Sequence, residues 1–230
     1  MKYLGSKNRH AKDILPIILE GRTTELYVEP FVGGANTLDK VGGERLGADI
    51  DADLITLWNA VSAGWLPPEN ITEGEYNSLK TQTTLSPIRG YAAFALSFGG
   101  KKFGGWSRGL NSQGLPRRYD HESYRNAIKQ FPLLQGVNFK NCSYLDLDIP
   151  DGSIIYCDPP YKGTTQYASA FNHDLFFDWC RDKAKRNTLF VSEYAAPNDF
   201  VCVWEKEVPV SIASNRVTSP VKTERLFRCW

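Results

Sequence analysis

The sequence predicts an α/β fold in which a sheet flanked by helices is interrupted by an inserted, mainly helical segment. Strand-like apolar runs alternate with helical periodicity at the start of the chain and again towards its end, which is typical of a doubly wound sheet. Over residues 65–132 this alternation breaks, and helical segments surround a glycine-rich stretch. We therefore divide the chain into residues 1–64 with 133–230, and an insertion over 65–132.

Each element of this fold follows from a local pattern. In the first part, Glu25 to Glu29 and Arg45 to Ile50 are predicted strands, with a helical stretch expected after Gly34. Leu54, Leu57, Trp58 and Val61 share one face of a helix predicted from Asp51 to Ala63. The later predictions are a helix at Pro87–Ser97, a loop or hairpin at Gly99–Gly109, strands at Gly136–Phe139, Ser153–Cys157 and Leu189–Ser192, a helix at His173–Arg186, and a hairpin of Phe200–Val210 with Val221–Arg228.

Composition excludes several classes of protein. The chain has 230 residues, of which 42% are hydrophobic and 23% charged, values that are ordinary for a soluble globular domain. No apolar run is long enough to span a membrane, and the first residues lack a signal-peptide pattern. The five scattered cysteines and three unpaired histidines favour a cytoplasmic protein with reduced thiols and no metal centre.

The positive charge is unevenly distributed along the chain. The net charge is +1, yet the segment from Arg89 to Arg118 holds six basic residues and no acidic one, which leaves about −5 for the remainder. Such a local basic block is expected for a polyanion partner such as a nucleic acid. A solvated basic loop is the alternative interpretation.

The motif Asp158-Pro159-Pro160-Tyr161 directly follows the predicted strand Ser153–Cys157. Ligands of open α/β sheets bind at the carboxyl ends of strands, where this carboxylate is expected. The two prolines fix the backbone and leave carbonyl groups free to accept, and an aromatic ring follows at once. The motif can therefore hold a planar amine, although a strand-terminating turn with a solvated aspartate is the alternative.

A second constellation indicates a nucleoside cofactor. The paired glycines Gly33 and Gly34 follow the first strand and allow a tight turn with close approach of the backbone to a ligand. Asp49, at the end of the second strand, is placed to accept hydrogen bonds from ribose hydroxyls. Neither GxGxxG nor a P-loop pattern occurs. A cofactor without pyrophosphate fits these residues, and S-adenosylmethionine is the candidate.

These motifs occur in an order that resembles a known family. The series is Lys2 to Lys7, Glu29 to Gly34, Ala48 to Asp51, Asp158 to Tyr161, and Ser192 to Tyr194. It closely resembles the Dam-type (D12 class) DNA adenine-N6 methyltransferases, and the glycine-rich middle is similar to phage-encoded members. The resemblance spans Lys2 to about Phe227. It implies a Rossmann-like S-adenosylmethionine-dependent methyltransferase fold whose insertion, residues 65–132, is a target-recognition subdomain.

The resemblance also implies roles for individual residues. The cofactor-binding positions are Tyr3, Lys7, Phe31, Gly33, Gly34, Asp49, Ile50, Tyr144 and Asp158, with core packing as an equal alternative for Tyr144. The catalytic positions are Asp158, Pro159 and Tyr161. Asp158 and the Pro159 carbonyl would accept the two hydrogens of the adenine amine, while Tyr161 stacks on a base flipped out of double-stranded DNA. No metal is required, and the product is S-adenosylhomocysteine.

The insertion is expected to contact DNA through Lys101, Lys102, Arg108, Asn111, Arg117 and Arg118. The Asn-rich hairpin of GATC-specific members is poorly matched here, so both GATC and relaxed specificity stay open. A monomer or weak dimer on DNA is expected.

Other reactions fit the motifs less well. A cytosine-N4 methyltransferase typically has Ser at position 158, and a cytosine-C5 enzyme needs a Pro-Cys pair, which is absent. An RNA or glutamine methyltransferase usually has Asn at position 158 and would not need this basic insertion. A binding module with a degenerate site is disfavoured because every motif needed for methyl transfer is present.

Overall fold

The computed structural model of the protein describes residues 1–161, 171–209 and 221–230. Its chain divides into two compact units. The first unit comprises Met1–Ala11 and Val32–Leu147, and the second comprises Lys12–Phe31 and Asp148–Trp230. The whole of the insertion predicted from the sequence, residues 65–132, lies within the first unit.

The described strands form one mixed sheet with the order β3-β2-β1-β4-β5-β7-β6. The β1–β4, β2–β3 and β4–β5 pairs are parallel, whereas β7 is antiparallel to both β5 and β6. This confirms the predicted α/β class, and the antiparallel β6–β7 pair confirms the predicted C-terminal hairpin, although Val210 lies outside the described residues. The strands are β1 (Tyr27–Glu29), β2 (Arg45–Asp49), β3 (Asn138–Asn141), β4 (Ile154–Cys157), β5 (Thr188–Glu193), β6 (Val201–Pro209) and β7 (Val221–Cys229).

Side chains at the start of most helices determine where those helices begin. Asp51, Thr72, Ser86 and Asn172 each accept a hydrogen bond from a backbone N–H of the first turn, which satisfies a donor that has no partner within the helix. The helices are α1 (Ala11–Ile18), α2 (Ala52–Ser62), α3 (Glu73–Thr81), α4 (Pro87–Ala95), α5 (Tyr119–Gln130) and α6 (His173–Ala184). In the part of the chain that the structure describes, no helix is long and apolar enough to cross a membrane.

The helix predicted after Gly34 is wrong. The structure has only a 3-10 turn there, over Leu38–Lys40. Ala35 adopts a left-handed backbone conformation (φ 51°) and Gly43 another (φ 75°), so too few residues with helical geometry remain between them. The stretch predicted as a loop or hairpin, Gly99–Gly109, contains isolated bridging instead of a regular strand, with Ser97 opposite Trp106.

The core of the first unit forms around α2. The indole of Trp58 meets Phe131 edge to face at 5.6 Å and stacks on Phe139 at 6.1 Å, and its Nε1 donates to the Gly33 carbonyl at 2.9 Å. Helix α4 approaches α2 so closely that a Cβ at Gly90 would lie 2.2 Å from the Asp53 carbonyl oxygen. Glycine is therefore required at the contact between these helices.

We expect Gly90→Ala to destabilise the protein by roughly 1–3 kcal/mol, because α4 must move away from α2 to admit the methyl group. The matched control is Gly74→Ala in α3, where a Cβ meets no atom closer than 3.9 Å and alanine favours the helix. Chemical denaturation of both variants measures the effect. Equal stability of the two variants would contradict the close contact.

Candidate active site

In the first unit, the glycine turn is tied to the end of β2. The Val32 N–H donates to the Ala48 carbonyl at 2.8 Å, and the Gly33 N–H donates to Asp49 Oδ2 at 3.1 Å. The other carboxylate oxygen, Oδ1, accepts from the Asp51 N–H at 3.0 Å. Asp49 therefore fixes both the turn before it and the start of α2 after it.

Burial raises the pKa of Asp49 to about 6, although the backbone donors of Asp51 and Gly33 act in the opposite direction. A carboxylate in this environment is short of solvating partners. Its oxygens accept the backbone N–H groups of Gly33 and Asp51, with a further contribution from that of Ile50, and a carboxylate has about four acceptor sites in all. Asp49 can thus accept the hydroxyl groups of a bound ribose.

The paired glycines make room for Tyr3. A Cβ at Gly33 would lie 2.7 Å from Cε1 of the Tyr3 ring, and one at Gly34 would lie 2.7 Å from the Tyr3 Cβ. On its other side, Tyr3 is approached by Gly100 of the glycine-rich stretch, where a Cβ would lie 2.7 Å from the Tyr3 backbone. Three glycines, Gly33, Gly34 and Gly100, therefore pack closely against Tyr3 of the N-terminal segment.

The other predicted cofactor residues are placed as follows. Lys7 is buried, and its Nζ donates to the Gly5 carbonyl at 3.4 Å. Ile50 is 73% exposed and presents an apolar surface beside Asp49, as expected for a residue that contacts a base. Tyr144 is buried. In the second unit, Phe31 packs edge-on against Phe176 at 5.6 Å.

The chemistry of the first-unit residues fits S-adenosylmethionine. A carboxylate with acceptor capacity for the ribose hydroxyls, an exposed aliphatic side chain for the adenine and a glycine turn that allows close approach of the backbone are the elements that a nucleoside needs. Asp49, Ile50 and the Gly33 turn supply them.

In the second unit, Asp158 follows β4, whose four residues are all buried. The strand is anchored by a hydrogen bond of 2.8 Å between the hydroxyls of Tyr156 and Ser192. Pro159 and Tyr161 are buried, and Asp158 is partly buried. The predicted strand and the motif that follows it are therefore placed as the sequence indicated, at the carboxyl end of a central parallel strand.

Two side chains contact this motif that the sequence analysis did not identify. His173, the first residue of α6, has its Nε2 at 3.1 Å from the Pro160 carbonyl and 3.8 Å from Glu193 Oε2. Glu224 of β7 accepts a hydrogen bond from the Tyr161 hydroxyl at 3.1 Å. No sequence motif marks Glu224, whereas Glu193 belongs to the Ser192–Tyr194 motif that the sequence analysis identified.

Burial, reinforced by the negative charge of Asp158, raises the pKa of both Tyr156 and Tyr161 well above the usual value. Their hydroxyls therefore stay protonated near neutral pH, and that of Tyr161 donates to Glu224.

Five of the six basic residues between Arg89 and Arg118 are paired with carboxylates of the same unit. Lys102 Nζ lies 2.8 Å from Asp51 Oδ2 and 2.9 Å from Asp53 Oδ2. The further pairs are Arg89–Asp53 at 2.8 Å, Arg108–Glu73, Arg117–Glu122 at 2.6 Å and Arg118–Asp120 at 2.8 Å. Lys101 is exposed. The basic block seen in the sequence is thus largely neutralised by folding.

Asn111, the predicted base-reading amide, shapes its own loop. Its Oδ1 accepts from the backbone N–H groups of Gln113 and Leu115, both at 2.9 Å. The carbonyl side of this amide is therefore engaged locally, as in an Asx turn.

Comparison with known proteins identifies the family. Residues 3–103 match the model of the D12 class N6 adenine-specific DNA methyltransferases. Over 252 aligned residues the chain is 30% identical to a DNA adenine methylase of Vibrio cholerae, and the match covers 99% of this chain and 84% of that protein. The chain belongs to this family. It is an S-adenosylmethionine-dependent adenine DNA methyltransferase, and DNA is its substrate.

Among solved structures, the chain is similar to the rRNA methyltransferase AviRa of Streptomyces viridochromogenes, with 12% identity and a TM-score of 0.48, covering 99% of this chain and 86% of that one. It is also similar to the tRNA (m1A58) methyltransferase TrmI of Aquifex aeolicus, with 11% identity and a TM-score of 0.38, covering 94% and 68%.

The raised pKa of Asp49 predicts a pH-dependent loss of stability. Because the unfolded carboxyl has a pKa near 3.8 and the folded one about 6, the folded chain retains a proton in this window that the unfolded chain has released. Raising the pH from 4 to 7 should therefore lower the unfolding free energy of the wild type by roughly 1–3 kcal/mol relative to Asp49→Asn.

Urea denaturation across this pH range measures the difference between the two proteins. The exposed Asp146 provides the control, since Asp146→Asn should follow the wild-type pH dependence throughout. Parallel curves for Asp49→Asn and the wild type would show that burial does not perturb this carboxyl.

Proposed function

We propose that Asp158 and the Pro159 carbonyl accept the two hydrogens of the N6 amine of an adenine, and that Tyr161 stacks on the base. The lone pair of this amine is conjugated into the ring, which makes the nitrogen a weak nucleophile. Acceptance of both hydrogens by a carboxylate and a carbonyl moves the nitrogen towards a tetrahedral state with an available lone pair. The position of Asp158 after a buried parallel strand carries this proposal.

The same groups provide an acceptor for the proton that the amine releases during methyl transfer. When bound, S-adenosylmethionine supplies an electrophilic methyl group on a sulfonium sulfur. Transfer of that methyl group would break its bond to sulfur and leave a neutral thioether, and the newly methylated, positively charged nitrogen would lose one proton to the carboxylate of Asp158 or to water. The prolines and the His173 contact to Pro160 hold the accepting groups in a fixed geometry, which lowers the cost of orientation.

We propose that residues of the first unit bind S-adenosylmethionine, namely Tyr3, Lys7, Gly33, Asp49 and Ile50. Asp49 accepts ribose hydroxyls, and Ile50 contacts the adenine of the cofactor. The family resemblance implies further cofactor contacts by Asp158, Tyr144, Phe31 and Gly34.

We also propose that the substrate is double-stranded DNA from which the target base is flipped, at a cost of a few kcal/mol that stacking on Tyr161 partly offsets. The insertion, residues 65–132, would contact the duplex as a monomer or weak dimer. The ion pairs of Arg108, Arg117 and Arg118 are on the surface and therefore weak, so phosphates can replace their carboxylate partners at small cost. Because these arginines are already paired with carboxylates of the protein, the proposal favours relaxed over strict sequence specificity.

Replacing Asp158 tests the catalytic proposal. Asp158→Ala should lower methyl transfer to DNA by at least roughly a hundredfold, because the main acceptor for the amine is lost, while S-adenosylmethionine binding survives at least in part. Asp151→Ala is the matched control, since Asp151 is exposed and pairs only at 3.5 Å with Arg186. Radiolabelled methyl transfer and calorimetric binding give the two readouts. Full activity of Asp158→Ala would refute the assignment.

The salt dependence of DNA affinity distinguishes the expected roles of two adjacent lysines of the insertion, Lys101 and Lys102. Lys101 is exposed, so Lys101→Met should flatten the slope of log K against log salt by about one unit if it contacts a phosphate. Lys102 already meets Asp51 and Asp53, so Lys102→Met should change this slope less and destabilise the fold instead. An unchanged slope for Lys101→Met would remove this residue from the DNA interface.

A further inference from the structure

The ring of Tyr161 is held at its hydroxyl end. The backbone before it is fixed by two prolines, but a side chain after such a turn still has two free torsions. The hydroxyl donates to Glu224 Oε2 at 3.1 Å, and the residue is 8% exposed. Because burial and nearby carboxylates raise the pKa of Tyr161, this donor keeps its proton. A charged acceptor makes the bond stronger than one between neutral groups.

A second aromatic ring fixes the orientation of the first. Tyr194 meets Tyr161 edge to face, with ring centres 4.6 Å apart and an angle of 87° between planes. Lys222 Nζ lies 4.7 Å from the centre of the Tyr194 ring, within the range of a cation–π contact. Three contacts therefore restrict rotation of the two rings: the hydrogen bond to Glu224, the ring–ring contact and the contact of Lys222 with Tyr194.

Strand β7 supplies both charged residues of this arrangement. Lys222 and Glu224 are two positions apart and so lie on the same face of the strand. The register of β7 is fixed on both sides, since Arg225 lies opposite Glu193 of β5 and Glu224 lies opposite Lys206 of β6. A one-residue slip would turn Glu224 to the other face, so the sheet itself determines where this carboxylate lies.

We propose that Glu224 is a positioning residue for the methyl-transfer reaction: it fixes the Tyr161 ring in the orientation in which the target base stacks. The inference rests on the proposed stacking role of Tyr161. A ring fixed before the base arrives loses no torsional freedom on stacking, so more of the stacking energy is available for holding the amine in line. The hydroxyl of Tyr161 has no chemical part in this role and serves only as the point of attachment.

A double-mutant cycle tests the proposal. Tyr161→Phe keeps the ring and removes the hydroxyl, and Glu224→Ala removes the acceptor. Each should lower kcat/KM on unmethylated double-stranded DNA roughly tenfold, the effect of losing one hydrogen bond to a charged group. The double variant should be no worse than either single one. Glu224→Gln retains an acceptor oxygen and should recover most of the activity.

The controls separate positioning from folding. Glu207→Ala removes an exposed glutamate of the same hairpin, opposite Thr223, and should keep wild-type kcat/KM. Affinity for S-adenosylmethionine and the thermal midpoint should stay near wild type in Tyr161→Phe and Glu224→Gln. A fluorescent adenine analogue in the duplex should report weaker stacking in Tyr161→Phe and Glu224→Ala than in the wild type.

Two results would overturn the inference. One is additive losses in the double variant, and the other is wild-type kcat/KM for Glu224→Ala. These outcomes are distinct from failure of the proposed function, which would show as a wild-type protein without activity on DNA, or as full activity of Tyr161→Ala.

Discussion

The carboxylate of Asp49 is the constraint on which the first unit depends. One oxygen holds the Gly33 turn and the other holds the backbone at Asp51, where α2 begins. The side chain of Asp51 in turn caps α2 and meets Lys102 of the glycine-rich stretch. A single chain of hydrogen bonds and ion pairs therefore connects the proposed cofactor turn to the proposed DNA-reading segment. Burial disfavours the charged form of Asp49 and raises its pKa to about 6, and this buried carboxylate is the group proposed to accept a ribose.

In the second unit, the main constraint is the rigid placement of Asp158 and of the residues that follow it. Asp158 emerges from a strand with no exposed residue, and the following turn is fixed by two prolines and by His173. The Tyr161 hydroxyl donates to Glu224, and the charge of Asp158 helps to raise the pKa of Tyr156. Rigid placement of this kind suits the acceptor role that is proposed for Asp158.

Basic residues of the insertion form ion pairs within the protein, and the same residues are proposed to contact DNA. Carboxylates of the first unit pair with Arg108, Arg117, Arg118 and Lys102, which compensates the positive charge of the basic block locally. Exposed ion pairs contribute little to stability and are screened by salt. Under the proposed DNA contact, these residues would exchange a carboxylate for a phosphate, and such binding would depend on charge and shape more than on sequence.

The sequence by itself determined the α/β class, the C-terminal hairpin and the family, because these depend on local periodicity and on motifs a few residues long. Asp49 and Asp158 were found from their positions after predicted strands. The helix expected after Gly34 failed because backbone conformations at Ala35 and Gly43, which composition does not reveal, interrupt it. Only the tertiary structure decided that Glu224 meets Tyr161 across 63 residues of chain. Sheet register, which no local pattern specifies, brings these two side chains together.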